Sequence, residues 1–358
     1  ELVNKSQRGE SALVRPCIGS NTGCVGQLMS TGVLSCVVNV ATAQETMVSF
    51  EPTGPAEVSK RVLVVGGGPA GLEAARTAAL RGHEVHLYEA TRRLGGQVSI
   101  AATAPHRSDI GAITEWLTGE VERLGVRIVL NTWVDPDVVA ELAPDEVILA
   151  TGVMPRTDGF QLSTPVNPVP GHGLPHVFTS WDVFGFGGRA SLVGPAVVYD
   201  DTGTFEAISV ADVLLEAGLE VAMVGRLDSI GATLLPAGHG CCGTGAADVQ
   251  CLRLHRRPSS REIRPDAVDI GVPFTDRCRT IPAKTVVIVT YGHPNRELGG
   301  ISRPSPRQLA TPPHRRCHRH QRCPPRHPSG RSPRPFPLIV PSSNPSEGWW
   351  VGRATARC

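Results

Sequence analysis

The sequence predicts an α/β protein: a doubly wound, parallel, Rossmann-like sheet, a second and smaller α/β nucleotide-binding unit inserted in it, and a disordered C-terminal tail. Three observations carry that reading. Strand-length apolar runs alternate with helix-length amphipathic runs between residues 61 and 152. A tight Gly-rich turn, "GGGPAG" at 66–71, separates the first strand from the first helix. Beyond Gly300 the chain is dense in Arg and Pro, with too little apolar surface to offset the entropy of ordering.

Taken in order, "RVLVV" (61–65) is a short, fully apolar strand that the glycines break sharply. "LEAARTAALRG" (72–82) is an Ala-rich helix stopped at Gly82, and "EVHLYEA" (84–90) is a second strand. Residues 108–125 set Ile110, Ile113, Trp116, Leu117, Val121 and Leu124 on one helical face, with Ser108 as the N-cap. "VRIVL" (126–130) and "DEVILATG" (145–152) add two strands. The second unit is weaker: a strand in 190–201, a helix over 205–218 and a strand over 219–226. From Pro236 no usable period remains until 282–298, where Val286–Thr290 form a buried strand expected to return to the first domain. The boundaries are thus a cysteine segment (1–57), a first nucleotide domain (58–155, with 282–298), an inserted unit (156–236), a poorly patterned stretch (237–281) and the tail (299–358).

The chain of 358 residues is long enough for two or three cores. A net charge of +2 gives no global attraction to nucleic acid or membrane, and no apolar run is long enough to span a bilayer. With no signal-peptide core at the N-terminus, the expectation is a soluble, cytoplasmic protein. The chain opens on Glu1 in mid-pattern, which points to sequence upstream. Of ten cysteines, three lie in 15–39 and seven after residue 240, which is no disulfide framework. All but three of the basic residues are Arg, the mark of a GC-rich gene. Such a gene read out of frame yields Arg, Pro, His and Cys, so frameshifts are the expected origin of 237–270 and 301–358.

Gly66, Gly68 and Gly71 form G-x-G-x-x-G. The first allows the tight turn, the second lets a pyrophosphate approach the backbone, and the third lets helix and strand pack closely. The helix N-terminus beyond them favours phosphates. Glu89 ends the next strand, where a carboxylate can accept both ribose hydroxyls of an adenosine. "RRLGGQ" (92–97) adds a glycine pair and the amide of Gln97, and Thr151 and Gly152 end a strand at the edge where ligands of such sheets sit. These features favour FAD over NAD. Upstream, Cys17, Cys24 and Cys36 look like most of a metal site.

Together, "RPCIGSNTGC…C", "KRVLVVGGGPAGLEAARTAALRGHEVHLYEATRRLGGQ" and "VVIVTYGHPNREL" resemble the C-terminal half of the NADH:flavin oxidoreductase group that includes 2,4-dienoyl-CoA reductase and trimethylamine dehydrogenase. The resemblance covers residues 11–236 and 280–298. It implies an FAD domain with an inserted NAD(P)H domain, a [4Fe-4S] cluster, and an FMN-holding TIM barrel that this chain lacks. Hydride would pass from NAD(P)H to FAD, and electrons onward through the cluster to FMN on a barrel domain or redox partner. Ala70, Glu89, Gln97, Arg107 and Val134 fall where the dienoyl-CoA reductases bind FAD. The family's cluster motif, C-x2-C-x3-C-x11-C, is met by Cys17, Cys24 and Cys36, but Ser20 stands at the second ligand position. A serine oxygen is harder and far less acidic than a thiol, so the site reads as a damaged copy. "DDTGTFEA" (200–207) would serve as the nicotinamide-binding turn, yet it lacks the three-glycine spacing and reads equally as a plain strand-to-helix turn. The group's closing Gly-Asp segment is not found after Leu298.

Rival readings are a non-catalytic remnant of such an enzyme, and an Arg-rich tail that binds nucleic acid or an acidic partner. Cys317, His318, His320 and Cys323 are too cramped for a structural zinc site.

Overall fold

The computed structural model describes residues 2–48, 54–186, 191–238, 252–256, 260–271 and 277–295, together with the two-residue strands Leu338–Ile339 and Val351–Gly352, which pair with each other. The expected disorder of the tail and most of 237–259 otherwise lie outside the described residues. The chain opens with α1 (Leu2–Gln7), a 3-10 turn (Ser11–Leu13), a π-helical turn (Thr22–Gly26) and α2 (Gln27–Thr31). No helix among the described residues is long and apolar enough to cross a membrane.

The first sheet takes β1 (Arg61–Val65), β2 (Glu84–Tyr88), β3 (Arg127–Val129) and β4 (Glu146–Leu149) in the order β3-β2-β1-β4, all parallel. Its connections are α3 (Pro69–Leu80), α4 (Gly96–Ala101), α5 (Ala112–Arg123) and α6 (Pro136–Leu142). Because β1 is central, alternate side chains bury on opposite faces. Val62 and Val64 meet Leu72 and Ala75 of α3 and Leu117 and Val121 of α5. Leu63 and Val65 meet Tyr88 and Val134 on the other face, with α6 packed against them. The chain leaves β1 toward β2 on one side and returns as β4 on the other, so the strand order reverses beside β1. The expected face of 108–125 holds, for Ile113, Leu117 and Val121 are buried. Its start differs: Ser108–Gly111 form a 3-10 turn, and Ser108 does not cap α5.

After β5 (Val153–Met154), the second unit is built from β6 (Val177–Thr179), α7 (Ser180–Val183), β7 (Ala196–Asp200), α8 (Phe205–Glu216), β8 (Val221–Gly225), a 3-10 turn (Ala232–Ala237) and β9 (Leu252–Arg256). Then follow β10 (Ser260–Arg264), β11 (Ala267–Gly271), β12 (Cys278–Pro282), β13 (Thr285–Val289) and β14 (His293–Pro294). The second sheet is parallel throughout, in the order β6-β13-β7-β8-β9.

Two expectations are corrected here. The strand at 285–289 is not part of the first domain: it pairs with β6 and β7 in the second sheet, and β14 alone returns, against β5. A strand apolar on both faces fits any central slot, and its pattern carries no address for one sheet over another. Nor is all of 237–281 unpatterned, since β10, β11 and β12 form an antiparallel meander. Its Ile263, Val268, Ile270 and Ile281 cover the face of the second sheet that carries Val197, Tyr199, Val224 and Val286. The opposite face packs Val198, Val287 and Val289 onto Val210 and Leu214 of α8.

Candidate functional site

The 66–71 turn lies at the carboxyl end of β1, where the order of the first sheet reverses. Gly66 has φ +105°, and a Cβ there would lie 2.3 Å from the Ala150 carbonyl oxygen. A Cβ on Gly71 would lie 1.8 Å from the Gly66 oxygen, so the helix can approach the strand only with glycine at that position. Gly68 is different: a Cβ would meet nothing nearer than Gly96 Cα at 4.0 Å, which leaves room above the turn. The Gly67 N–H donates to Glu89 Oε2 at 2.7 Å and the Thr91 N–H to Glu89 Oε1 at 2.8 Å. The Glu89 side chain is thereby held with its residue only 8% exposed, and each oxygen keeps a lone pair for a hydroxyl. Side-chain-free backbone beside a fixed, buried carboxylate fits the adenosine diphosphate half of FAD.

The other expected residues divide. Ala70 is in the first turn of α3, beside the cradle. Gln97 is exposed, and its amide donates to the Val153 carbonyl at 2.8 Å. Thr151 Oγ1 donates to the Asn295 carbonyl at 2.9 Å, while the Asn295 N–H donates to the carbonyl of Gly152, whose φ is +68°. These contacts tie the edge of the cradle to β14. Val134 is 3% exposed, with its side chain in the core beneath the sheet. Arg107 turns toward the second unit, its guanidinium 3.8 Å above the Phe205 ring. The G-x-G-x-x-G spacing leaves Gly67 a variable position and gives Asn295 no role. Gly67 had a signal in the run of three glycines; the role of Asn295 depends on a contact 144 residues away in the chain.

The second turn, after β7, is built otherwise. Asp200 Oδ1 accepts from the N–H groups of Thr202 at 3.0 Å and Gly203 at 2.8 Å, and from Thr202 Oγ1 at 3.1 Å. Asp201, 0% exposed, accepts from the Leu162 N–H at 2.6 Å and Thr290 Oγ1 at 3.2 Å. Burial pushes both carboxyls up, and pushes up Glu206 in the first turn of α8 as well.

The cysteine stretch does not form the expected metal centre. Among the described residues, no group of three His, Cys, Asp or Glu side chains could hold a metal ion. Cys17 and Cys36 line one cleft with Lys5 and Arg15. The Cys24 thiol points to Asn21 Oδ1, at 4.0 Å, and the Ser20 hydroxyl is bonded to Thr22 Oγ1 at 3.1 Å. A cluster needs its thiolates aimed at one point, and these residues do not fit one.

Residues 61–148 match the family described as FAD dependent oxidoreductase. The chain is 36% identical over 220 residues to a probable N-methylproline demethylase of Rhizobium meliloti (strain 1021), over 62% of this chain and 30% of that protein. It is 36% identical over 237 residues to an NADH oxidase of Thermoanaerobacter brockii, over 66% of this chain and 35% of that one. A solved structure of histamine dehydrogenase from Rhizobium sp. 4-9 superposes with a TM-score of 0.77 at 26% identity, over 83% of this chain and 44% of that one. The chain spans about a third of the length of the curated relatives it matches. Residues 61–148 thus resemble an FAD-dependent oxidoreductase domain, and the chain is homologous to part of larger flavin oxidoreductases.

Proposed function

We propose that this chain is the FAD-holding, electron-exchanging part of a flavin oxidoreductase. One observation carries the reading: the buried Glu89 carboxylate, fixed by the Gly67 and Thr91 N–H groups, stands beside a turn that leaves no room for a side chain at Gly66 or Gly71. FAD, when bound, supplies a ring that takes up and releases electrons. The residues of the chain bind and orient it. Glu89 accepts the ribose hydroxyls, and the space over Gly68 admits the pyrophosphate at the N-terminus of α3, whose dipole favours it. Gln97, Thr151 and Gly152, tied to β5 and β14, shape the edge.

Of the path expected from the sequence, from NAD(P)H to FAD to a cluster and then to FMN on a barrel partner, the FAD step is the one these residues support. The relative named NADH oxidase favours nicotinamide as the electron source in that group. In this chain the second turn and the cysteine stretch depart from the residue sets such a path needs.

The test is the visible spectrum of purified protein, followed by chromatography of the cofactor released by heat. A yellow protein that releases FAD is the expected result. FMN as the sole flavin refutes the assignment. A colourless protein that takes up no added FAD is what a non-catalytic remnant would give.

A further inference from the structure

The turns after β1 and β7 start from the same strand-to-helix topology and end in opposite electrostatics. Counting from the last residue of the strand, Gly66, Gly67 and Gly68 of the first turn correspond to Asp201, Thr202 and Gly203 of the second. In the first turn the carboxylate that takes the Gly67 N–H comes from the neighbouring strand and lies where a ribose would sit. In the second, the carboxylate comes from the strand that feeds the turn, and folds over the turn's own N–H groups.

A pyrophosphate binds such a turn through free main-chain N–H groups and a positive helix end. Here Asp200 Oδ1 already occupies the Thr202 and Gly203 N–H groups and the Thr202 hydroxyl. The Thr202 hydroxyl is also within 2.9 Å of Thr204 Oγ1, so the turn is closed on itself. Around it lie Asp201, 0% exposed, and Glu206, bonded to Ser180. The Arg226 guanidinium at the end of β8 is directed to Asp201, donating to its carbonyl at 3.1 Å with Nε 3.5 Å from Oδ1. An incoming pyrophosphate would have to displace a buried carboxylate and then sit among others. Deprived of its N–H donors, the Asp200 carboxylate would face the phosphate in a desolvated site, where like charges so close are strongly unfavourable.

We infer that Asp200 is a specificity-determining residue: its carboxylate stands in for the pyrophosphate, and the second unit of this chain does not hold NAD(P)H. The unit keeps the fold of a dinucleotide-binding domain while its cradle is filled from within. The inference rests on the flavin reading only for its redox arm.

The experiment uses the full chain with FAD in excess, so that the Gly66–Gly71 cradle is filled. Under anaerobic conditions NADH and NADPH are each titrated while the visible flavin band is followed, with dithionite as the control that the flavin can be reduced. In parallel, ADP-ribose is titrated by calorimetry against the wild type and Asp200→Gly, both checked for folding by circular dichroism. For the wild type, neither dinucleotide bleaches the band and ADP-ribose shows no saturation up to ~1 mM, the upper end of ordinary KM values. Asp200→Gly, with its N–H groups released, gains saturable binding of ADP-ribose in that range. Bleaching by either dinucleotide, or saturable ADP-ribose binding by the wild type, overturns the inference. If the folded variant gains nothing, Asp200 is not what closes the cradle, and its role is overturned. A protein that retains no FAD refutes the flavin reading instead, and comparing the two proteins with ADP-ribose still reads the second turn.

Discussion

Glu89 accepts two main-chain N–H groups, one on each oxygen, and each oxygen keeps a lone pair. Glu89→Ala therefore leaves two donors without their acceptor and removes the charge-assisted bonds to a ribose. FAD affinity should fall by about 1–3 kcal/mol, read by fluorescence titration of the flavin. Asp212 gives a different test, because its carboxyl is buried beside the interface of α8 with the first unit. Burial raises it to about 6, Glu216 adding to the rise while His106 and Arg107 oppose it. An unfolded Asp titrates near ~3.9, so between those values the folded state binds more protons than the unfolded one. Stability should rise as the pH falls from about 7 toward about 4. Asp212→Asn should be more stable than the wild type at neutral pH by about 1–2 kcal/mol and should flatten that slope. Asp200, Asp201 and Glu206, raised in the same direction, leave a residual slope. Urea midpoints at the two ends of the range check it.

Among the elements, the meander of β10, β11 and β12 departs furthest from what the sequence displays. Val268 and Ile270 alternate as a half-buried strand should, but only over Ala267–Gly271, flanked by Arg-rich and Pro-rich stretches that mask so short a period. Ile270 is 3% exposed in the core it shares with Tyr199 and Val286. Ile270→Ala should cost about 2–5 kcal/mol in global stability, measured by denaturant unfolding. A loss near zero would mean that the meander does not pack on the second sheet. The first sheet was more readable, since each strand there is bounded by glycine or charge and each helix by an apolar face.

For the whole molecule, the cysteine segment is anchored to the first domain by the side chain of Arg15. Arg15 donates to the Val38 carbonyl and to Glu73 of α3 at 2.6 Å, and its guanidinium stacks 4.4 Å from the centre of the Trp116 ring. Beneath it, Arg76, 1% exposed, bonds Glu120 of α5 at 3.0 Å. The segment therefore holds its place on α3 and α5, although Cys17, Cys24 and Cys36 form no metal-holding group. Purified protein should carry iron far below one cluster per chain. Ser20→Cys supplies a fourth thiol at the family spacing, so iron and acid-labile sulfide should rise together after anaerobic reconstitution, compared at equal flavin content. A full, air-stable cluster in the wild type would show that Ser20 or another group is an adequate ligand.

The sequence by itself determined the first α/β unit and the glycine turn that stands beside Glu89. A run of glycines between a strand and a helix, with Glu89 at the end of the next strand, is a local pattern whose geometry follows from backbone sterics over a few residues. Only the tertiary structure decided which sheet Thr285–Val289 joins, that Asn295 returns to Gly152, and that the Asp200 carboxylate fills its own turn. Sheet membership depends on which partner's faces remain to be buried, and that is settled across the whole fold. The state of a carboxylate in a turn depends on where its oxygens are aimed and on what else is buried around them. Neither is written in the spacing of residues along the chain.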